Sequence, residues 1–69
     1  MFYVNEDKLN GVIAEKRTTK EALADSIGID RSTFYRRLKN NALLVRDVHA
    51  ICSTLHLNAE QAREIFLAQ

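Results

Sequence analysis

Two helical patterns near the middle of the chain stand only about three residues apart, with a glycine between them. In the first pattern Leu23 and Ile27 share one helical face, and in the second Asp30 can cap a helix running to about Lys39. Gly28 follows the first pattern directly, where helices commonly end with a residue in the left-handed conformation. So short a connection leaves no room for a linker. The two helices must therefore meet at a tight corner.

The rest of the chain continues the helical pattern and lacks the residues that interrupt it. Its 69 residues include no proline and only two glycines, and unbranched helix-forming side chains are frequent, which favours an all-α fold. Either Thr18 or Thr19 can cap the second helix. Apolar spacing and capping residues predict three more helices. One, over about 6–16, is capped by Asn5, and another spans about 45–55. In the last, Asn58 and Gln61 form a candidate capping box and the helix includes Phe66. The sequence thus predicts five short helices in a single domain, 1–69.

The first four residues, MFYV, leave three possibilities open: a frayed arm, a short strand or a dimer contact. They are too few, and lack the basic start, for a signal peptide, and no segment reaches the length of a membrane span. Cys52 is the only cysteine, which suits a reducing compartment. We therefore expect a soluble, cytoplasmic protein that does not enter a membrane.

Basic charge is concentrated in the middle of the chain. Residues 16–46 carry eight basic and three acidic side chains, whereas 1–15 and 47–69 each carry one base against three acids. Within 31–46 there are five bases and no acid. A net charge of +1 conceals this gradient. We interpret the basic centre as a surface for nucleic acid, the alternative being a solvated face without a partner.

Metal binding and catalysis are not expected. His49, Cys52 and His56 share a helical face at ligand-like spacings, but the chain has no further Cys or His to complete a zinc site. Cys52 also lies on an apolar stripe, where a buried thiol is common. No nucleophile–base pair, phosphate-binding glycine loop or pair of catalytic carboxylates stands out. The sequence therefore predicts no cofactor, no metal, no small-molecule substrate and no enzymatic activity.

The stretch TTKEALADSIGIDRSTFYRRLKN resembles the helix-turn-helix of Cro and lambda-type phage repressors, the XRE family. The matching residues are Thr19-Lys20, Leu23-Ala24, Ile27-Gly28-Ile29 and Arg31-Ser32-Thr33-Phe34. The flanks KLNGVIAEK and REIFLAQ extend the resemblance to about 6–66 and look most like the small phage-encoded branch. The resemblance implies a compact five-helix, lambda-repressor-like DNA-binding domain. Its helix-turn-helix motif would span about 19–39, in helices 2 and 3.

The third helix divides into an inner and an outer face at 100° per residue. Phe34 and Leu38 cluster inward, whereas Ser32, Arg36 and Lys39 point the opposite way. By resemblance, four residues would read DNA bases: Arg31, Ser32, Thr33 and Arg36. Six others would contact phosphates: Thr19, Lys20, Tyr35, Lys39, Asn40 and Arg46. The alternative role for Tyr35 is to cover the edge of the Phe34 ring.

Two positions depart from the family pattern. Lys20 stands where relatives usually have a phosphate-contacting glutamine, and a lysine can serve there as a point charge. Arg37 stands where many relatives have an apolar core residue. Because Phe34 and Leu38 already fill the inner face, we expect Arg37 to be an exposed flank residue.

These features together predict a sequence-specific, double-stranded DNA-binding transcriptional regulator of a phage or prophage switch, acting at the nucleoid of a bacterial host. As a homodimer it would read two half-sites about 34 Å apart. Ile65, Phe66 and Leu67 could form the dimer interface, unless Ile65 and Phe66 simply close the core. Two other functions stay open: an antirepressor that docks on another phage regulator, and a purely structural helical module.

Overall fold

The computed structural model describes the backbone of residues 2–68 and the side chains of residues 3–66. In this part of the chain, five helices lie between two short strands, which confirms the predicted all-α, five-helix class. The elements in chain order are β1 (Phe2–Val4), α1 (Glu6–Glu15), α2 (Lys20–Ser26), α3 (Arg31–Lys39), α4 (Val45–Leu55), α5 (Ala59–Ile65) and β2 (Phe66–Ala68). The longest helix has 11 residues, and no helix in the described part could cross a membrane.

Side-chain caps determine where most of the helices begin. The Asn5 side chain accepts a hydrogen bond from the Lys8 amide of α1 at 3.1 Å. Thr19, not Thr18, caps α2, because its Oγ1 accepts from the Ala22 amide at 3.1 Å. At α5, Asn58 and Gln61 form the predicted reciprocal capping box.

The corner between α2 and α3 has the predicted geometry. Gly28 takes a φ of +75°, the left-handed conformation that costs a glycine little. The Ile29 amide then donates to the Ala24 carbonyl at 3.0 Å, which satisfies the end of α2. Asp30 caps α3 by accepting from the amides of Ser32 and Thr33. Three successive residues thus end one helix, turn the chain and start the next.

The core fixes the mutual angle of α2 and α3 from inside. Phe34 and Ala24 are fully buried, and Leu23 is nearly so. Every helix contributes to this core, and its buried apolar members are Leu9, Ile13, Leu23, Ala24, Phe34, Leu38, Leu43, Ile51, Leu55, Ile65 and Phe66. The predicted inner face of α3 is confirmed, since Phe34 and Leu38 both belong to this cluster.

The two chain ends form an antiparallel ribbon. Val4 pairs with Phe66 and Tyr3 with Leu67, so the short strand is the correct alternative for the MFYV segment. The ribbon corrects the prediction that the last helix includes Phe66. That helix ends at Ile65, whose carbonyl accepts from the Asn5 amide at 2.8 Å, because β1 offers the following residues a backbone partner.

The predicted dimer-interface residues lie at this junction. Ile65 is 1% exposed and Phe66 is 6% exposed, so both side chains close the core of their own chain, as the alternative interpretation expected. Burial by their own chain leaves these two side chains almost no surface for a second copy. The Leu67 side chain lies outside the described residues.

Candidate nucleic-acid interface

The outer face of α3 is polar and largely basic. Ser32, Arg36 and Lys39 are exposed, in agreement with the helical wheel, while Phe34 on the opposite face is fully buried. Arg31, at the start of the helix, is exposed as well. The helix is anchored in the core by Phe34 and presents three cations and a hydroxyl to solvent. Such an arrangement suits a helix that meets a polyanion.

Arg31 is held at the start of α3 by a carboxylate of α2. Its Nη2 donates to Asp25 Oδ2 at 2.9 Å, and both side chains are more than half exposed. The hydrogen bond from Arg31 lowers the pKa of Asp25, and the same contact raises the pKa of Arg31. Both groups are therefore fully charged at neutral pH.

Tyr35 makes a second contact between the two helices, one turn further along α3. Its hydroxyl donates to the Glu21 carboxylate, which lowers the pKa of Glu21 and raises that of Tyr35. The ring also lies against Phe34, with centroids 6.4 Å apart and planes inclined by 53°. Tyr35 thus covers the Phe34 edge, and its hydroxyl hydrogen is already engaged.

Unlike Arg31, Arg36 has no carboxylate partner among the described residues. Its side chain is exposed, and the guanidinium makes no hydrogen bond or ion pair to any residue of the described part. Lys39 and Asn40 are exposed beyond it at the end of α3, where the Asn40 amide donates to the Arg36 carbonyl. The guanidinium of Arg36 therefore has all five of its N–H donors available to a ligand.

The start of α2 places Thr19 and Lys20 together. Thr19 Oγ1 accepts the capping hydrogen bond, so its hydroxyl hydrogen remains available to a further acceptor. Lys20 Nζ lies 3.6 Å from a Glu6 carboxylate oxygen, and three-quarters of its side chain is buried. The ammonium is thus positioned by α1 as well as by its own helix.

Arg37 is not the exposed flank residue that was expected. Its side chain is 25% exposed, and its Nη1 donates to Asp47 Oδ2 at 2.9 Å. The prediction was wrong because it considered α3 alone, where Phe34 and Leu38 fill one face. The first turn of α4 covers the flank beside that face and supplies a carboxylate that is 3% exposed.

A groove of about 530 Å³ separates the α2–α3 corner from the start of α4. Thr33 and Arg46, predicted to contact DNA from different elements, both line it, and Arg46 is exposed. Its other lining residues are Ile27, Gly28, Ile29, Asp30, Arg37, Asp47 and Ala50. The ten predicted contact residues thus divide into three groups. Six lie on the exposed side or at the end of α3: Arg31, Ser32, Tyr35, Arg36, Lys39 and Asn40. Thr33 and Arg46 line the groove, and Thr19 and Lys20 lie at the start of α2.

The sequence interpretation overlooked three acidic residues that shape this surface: Glu21, Asp25 and Asp47. A signal for the first two was present, because Glu21 and Asp25 are one helical turn apart, as are Arg31 and Tyr35. Two helices joined by a tight corner can align such pairs. Asp47 follows Leu44 by three residues, and its carboxylate accepts from the Leu44 amide at 3.0 Å, which is a capping pattern.

Of the three residues with ligand-like spacing, exposed His49 and half-buried Cys52 lie on α4. Exposed His56 does not share that helical face as predicted, because α4 ends at Leu55 and His56 follows it in the left-handed conformation, with a φ of +54°. Burial raises the pKa of the Cys52 thiol. Among the described residues, no group of three or more His, Cys, Asp or Glu side chains is placed to hold a metal ion.

A comparison with protein families agrees with this geometry. A model of the Cro/C1-type HTH DNA-binding domain matches residues 8–64, from the first turn of α1 to the last turn of α5. Comparison with curated proteins and with solved structures gives no match.

Proposed function

Since the chain belongs to the Cro/C1-type HTH DNA-binding domain family, we propose that it is a sequence-specific transcriptional regulator that places α3 in the major groove of double-stranded DNA. The observation that carries this proposal is the outer face of α3. Arg31, Ser32 and Arg36 are exposed there on a helix fixed to the core by Phe34. A major groove about 12 Å wide admits one such helix.

Within the groove, the base-reading roles go to the first two turns of α3. Arg36 reads a guanine edge bidentately through O6 and N7, because all of its donors are free to do so. Ser32 precedes Arg36 on the same face, Arg31 lies exposed at the start of the helix, and the Thr33 methyl can meet a thymine methyl. Each good bidentate pair contributes about 1–3 kcal/mol of discrimination against the wrong base.

Residues around the base-reading side chains of α3 are placed to contact phosphates. Thr19 has a free hydroxyl hydrogen and Lys20 an ammonium at the start of α2, while Arg46 approaches from the far side of the groove described above. Lys39 and Asn40 occupy the other end of α3. Tyr35 joins this set only by exchanging its contact with Glu21 for a phosphate. Such contacts fix register on the duplex without reading sequence.

We further propose that the whole chain, 1–69, acts as one unit with its motif at about 19–39, and that it binds as a homodimer to half-sites about 34 Å apart. The β1–β2 ribbon supports this, because a sheet of two strands has two outer edges at which a strand of a second copy can pair. On the β1 edge the Val4 amide already donates to Asn41 Oδ1 at 3.1 Å, which favours the β2 edge. Tyr3, which is 50% exposed, lies on the same ribbon. A phage or prophage switch in the bacterial cytoplasm is the setting that the family resemblance favours.

Salt-dependent binding to duplex DNA tests the proposal. The logarithm of the binding constant for a random-sequence duplex should fall with the logarithm of salt concentration, by about 0.9 for each phosphate contacted. Arg31→Ala and Arg36→Ala should each bind more weakly, whereas Arg63→Ala on α5 serves as a matched control with the same loss of one positive charge. Absence of binding to any duplex at low salt, together with a stable complex with a second repressor, would instead support an antirepressor.

A further inference from the structure

The two exposed contacts between α2 and α3 form a matched set. Glu21 and Asp25 are one turn apart on α2, and they engage Tyr35 and Arg31, which are one turn apart on α3. Arg31 and Tyr35 were predicted to contact DNA, and Asp25 and Glu21 accept hydrogen bonds from them. The arrangement, here called the α2–α3 clamp, therefore acts on the residues proposed to meet the ligand.

The clamp leaves Arg31 able to read a base. A guanidinium carries five N–H donors, and Asp25 Oδ2 accepts from Nη2 alone at 2.9 Å. The remaining donors suffice for a bidentate contact with guanine O6 and N7. What Asp25 restricts is the choice of orientations, because an Arg31 tied to α2 cannot swing freely towards the phosphate backbone.

The clamp also weakens contacts that carry no sequence information. Non-specific binding to DNA is essentially electrostatic, and two carboxylates beside the interface repel phosphates. Tyr35 donates its hydroxyl hydrogen to Glu21, so that hydrogen is not offered to a phosphate while the contact lasts. Both effects lower affinity for random sequence while leaving the base-reading edge of Arg31 in place.

Resting on the proposed function, we propose that Asp25 and Glu21 are specificity-determining positioning residues that restrain Arg31 and Tyr35 and thereby suppress non-specific DNA binding. They touch no base themselves. Their effect is on the ratio between affinity for the preferred sequence and affinity for random sequence.

The test compares this ratio in the wild type and in single variants. The preferred duplex is first selected from a random library with the wild-type protein, and its affinity is then measured beside that of a random-sequence duplex. Asp25→Ala should lower the ratio about two- to fivefold, the range that an exposed ion pair supports, with random-duplex affinity rising. Glu21→Ala should act in the same direction through the release of Tyr35.

Glu64→Ala is the matched control, because Glu64 is also half-exposed and ion-paired, with Lys8 at 3.8 Å on the α1–α5 side. It makes the same change in net charge and should leave the ratio unaltered. The inference would be overturned if Asp25→Ala lost affinity equally for both duplexes, or if its affinity ratio equalled that of Glu64→Ala. In either case, selective binding by the wild type would still uphold the proposed function. A wild type that binds no duplex would overturn both.

Discussion

Arg37 Nη1 donates to Asp47 Oδ2 at 2.9 Å and so joins the middle of α3 to the first turn of α4. The same carboxylate oxygen accepts from the Leu44 amide at 3.0 Å, which caps α4. One buried carboxylate oxygen thus caps α4 and binds a side chain of α3. The position of α3 consequently depends on an ion pair as well as on the apolar core.

Loss of the Asp47 carboxylate should destabilise the fold. Asp47→Ala leaves a largely buried Arg37 unpaired and removes the cap of α4, so we expect the free energy of unfolding to fall by about 3 kcal/mol. Urea denaturation followed by circular dichroism measures the loss. Asp47→Asn, which keeps an oxygen for the Leu44 amide, should cost less than Asp47→Ala.

A double-mutant cycle separates the ion pair from the cap. Arg37→Met combined with Asp47→Ala should destabilise by less than the sum of the two single changes, with a coupling of about 1–3 kcal/mol. Strict additivity of the two changes would show that the Arg37–Asp47 contact contributes nothing.

Replacing each of the two glycines with alanine should change the stability of the fold, in opposite directions. Gly28 has a φ of +75°, and a Cβ there would meet no atom within 4 Å, so Gly28→Ala should cost about 1–2 kcal/mol from backbone strain alone. Gly11 lies in α1, where an added Cβ also meets no atom within 4 Å, and Gly11→Ala should stabilise by about 0.5–1 kcal/mol. Paired thermal unfolding curves check both signs.

The Asp25 carboxyl should titrate below its ordinary pKa of 3.8, because Arg31 donates a hydrogen bond to its charged form. Arg31→Gln should therefore raise the pKa of Asp25 towards that value, and Tyr35→Phe should raise the pKa of Glu21 towards 4.5. Carboxyl carbon chemical shifts followed by NMR against pH give both values. An Asp25 titration that Arg31→Gln leaves unchanged would contradict the contact.

These lowered pKa values also fix the direction in which stability changes with pH. The unfolded chain binds protons at the ordinary pKa values, whereas the folded chain binds them only at lower pH. The contribution of both contacts is therefore fully present above pH 4.5 and is lost as the pH falls through the lowered values. Asp25→Asn should make the acid side of the stability curve less steep than that of the wild type.

Much of the fold could be predicted from local signals. The caps at Asn5, Asp30 and Asn58, and the glycine at the corner, are short-range features, and each recurs in the structure where the sequence placed it. The inner face of α3 was likewise evident from the spacing of its apolar residues. Local hydrogen bonds and helical periodicity explain why these predictions held.

The predictions that failed depend on contacts between distant segments. The end of α5 at Ile65 requires β1, which comes from the other end of the chain. The burial of Arg37 requires Asp47 from another helix. The clamp on Arg31 and Tyr35 requires two helices to be placed side by side. A helical wheel treats one element at a time and contains none of these partners.

We propose that Arg36, on the outer face of α3, reads a base in the major groove. The most direct measurement is selection of bound sequences from a random duplex library, made in parallel with the wild type, Arg36→Ala and the control Arg63→Ala. The wild type and Arg63→Ala should select the same sequence. Arg36→Ala should lose discrimination at one base pair of each half-site, by about 1–3 kcal/mol. An even loss of affinity across all sequences, or selection unchanged by Arg36→Ala, would contradict the claim.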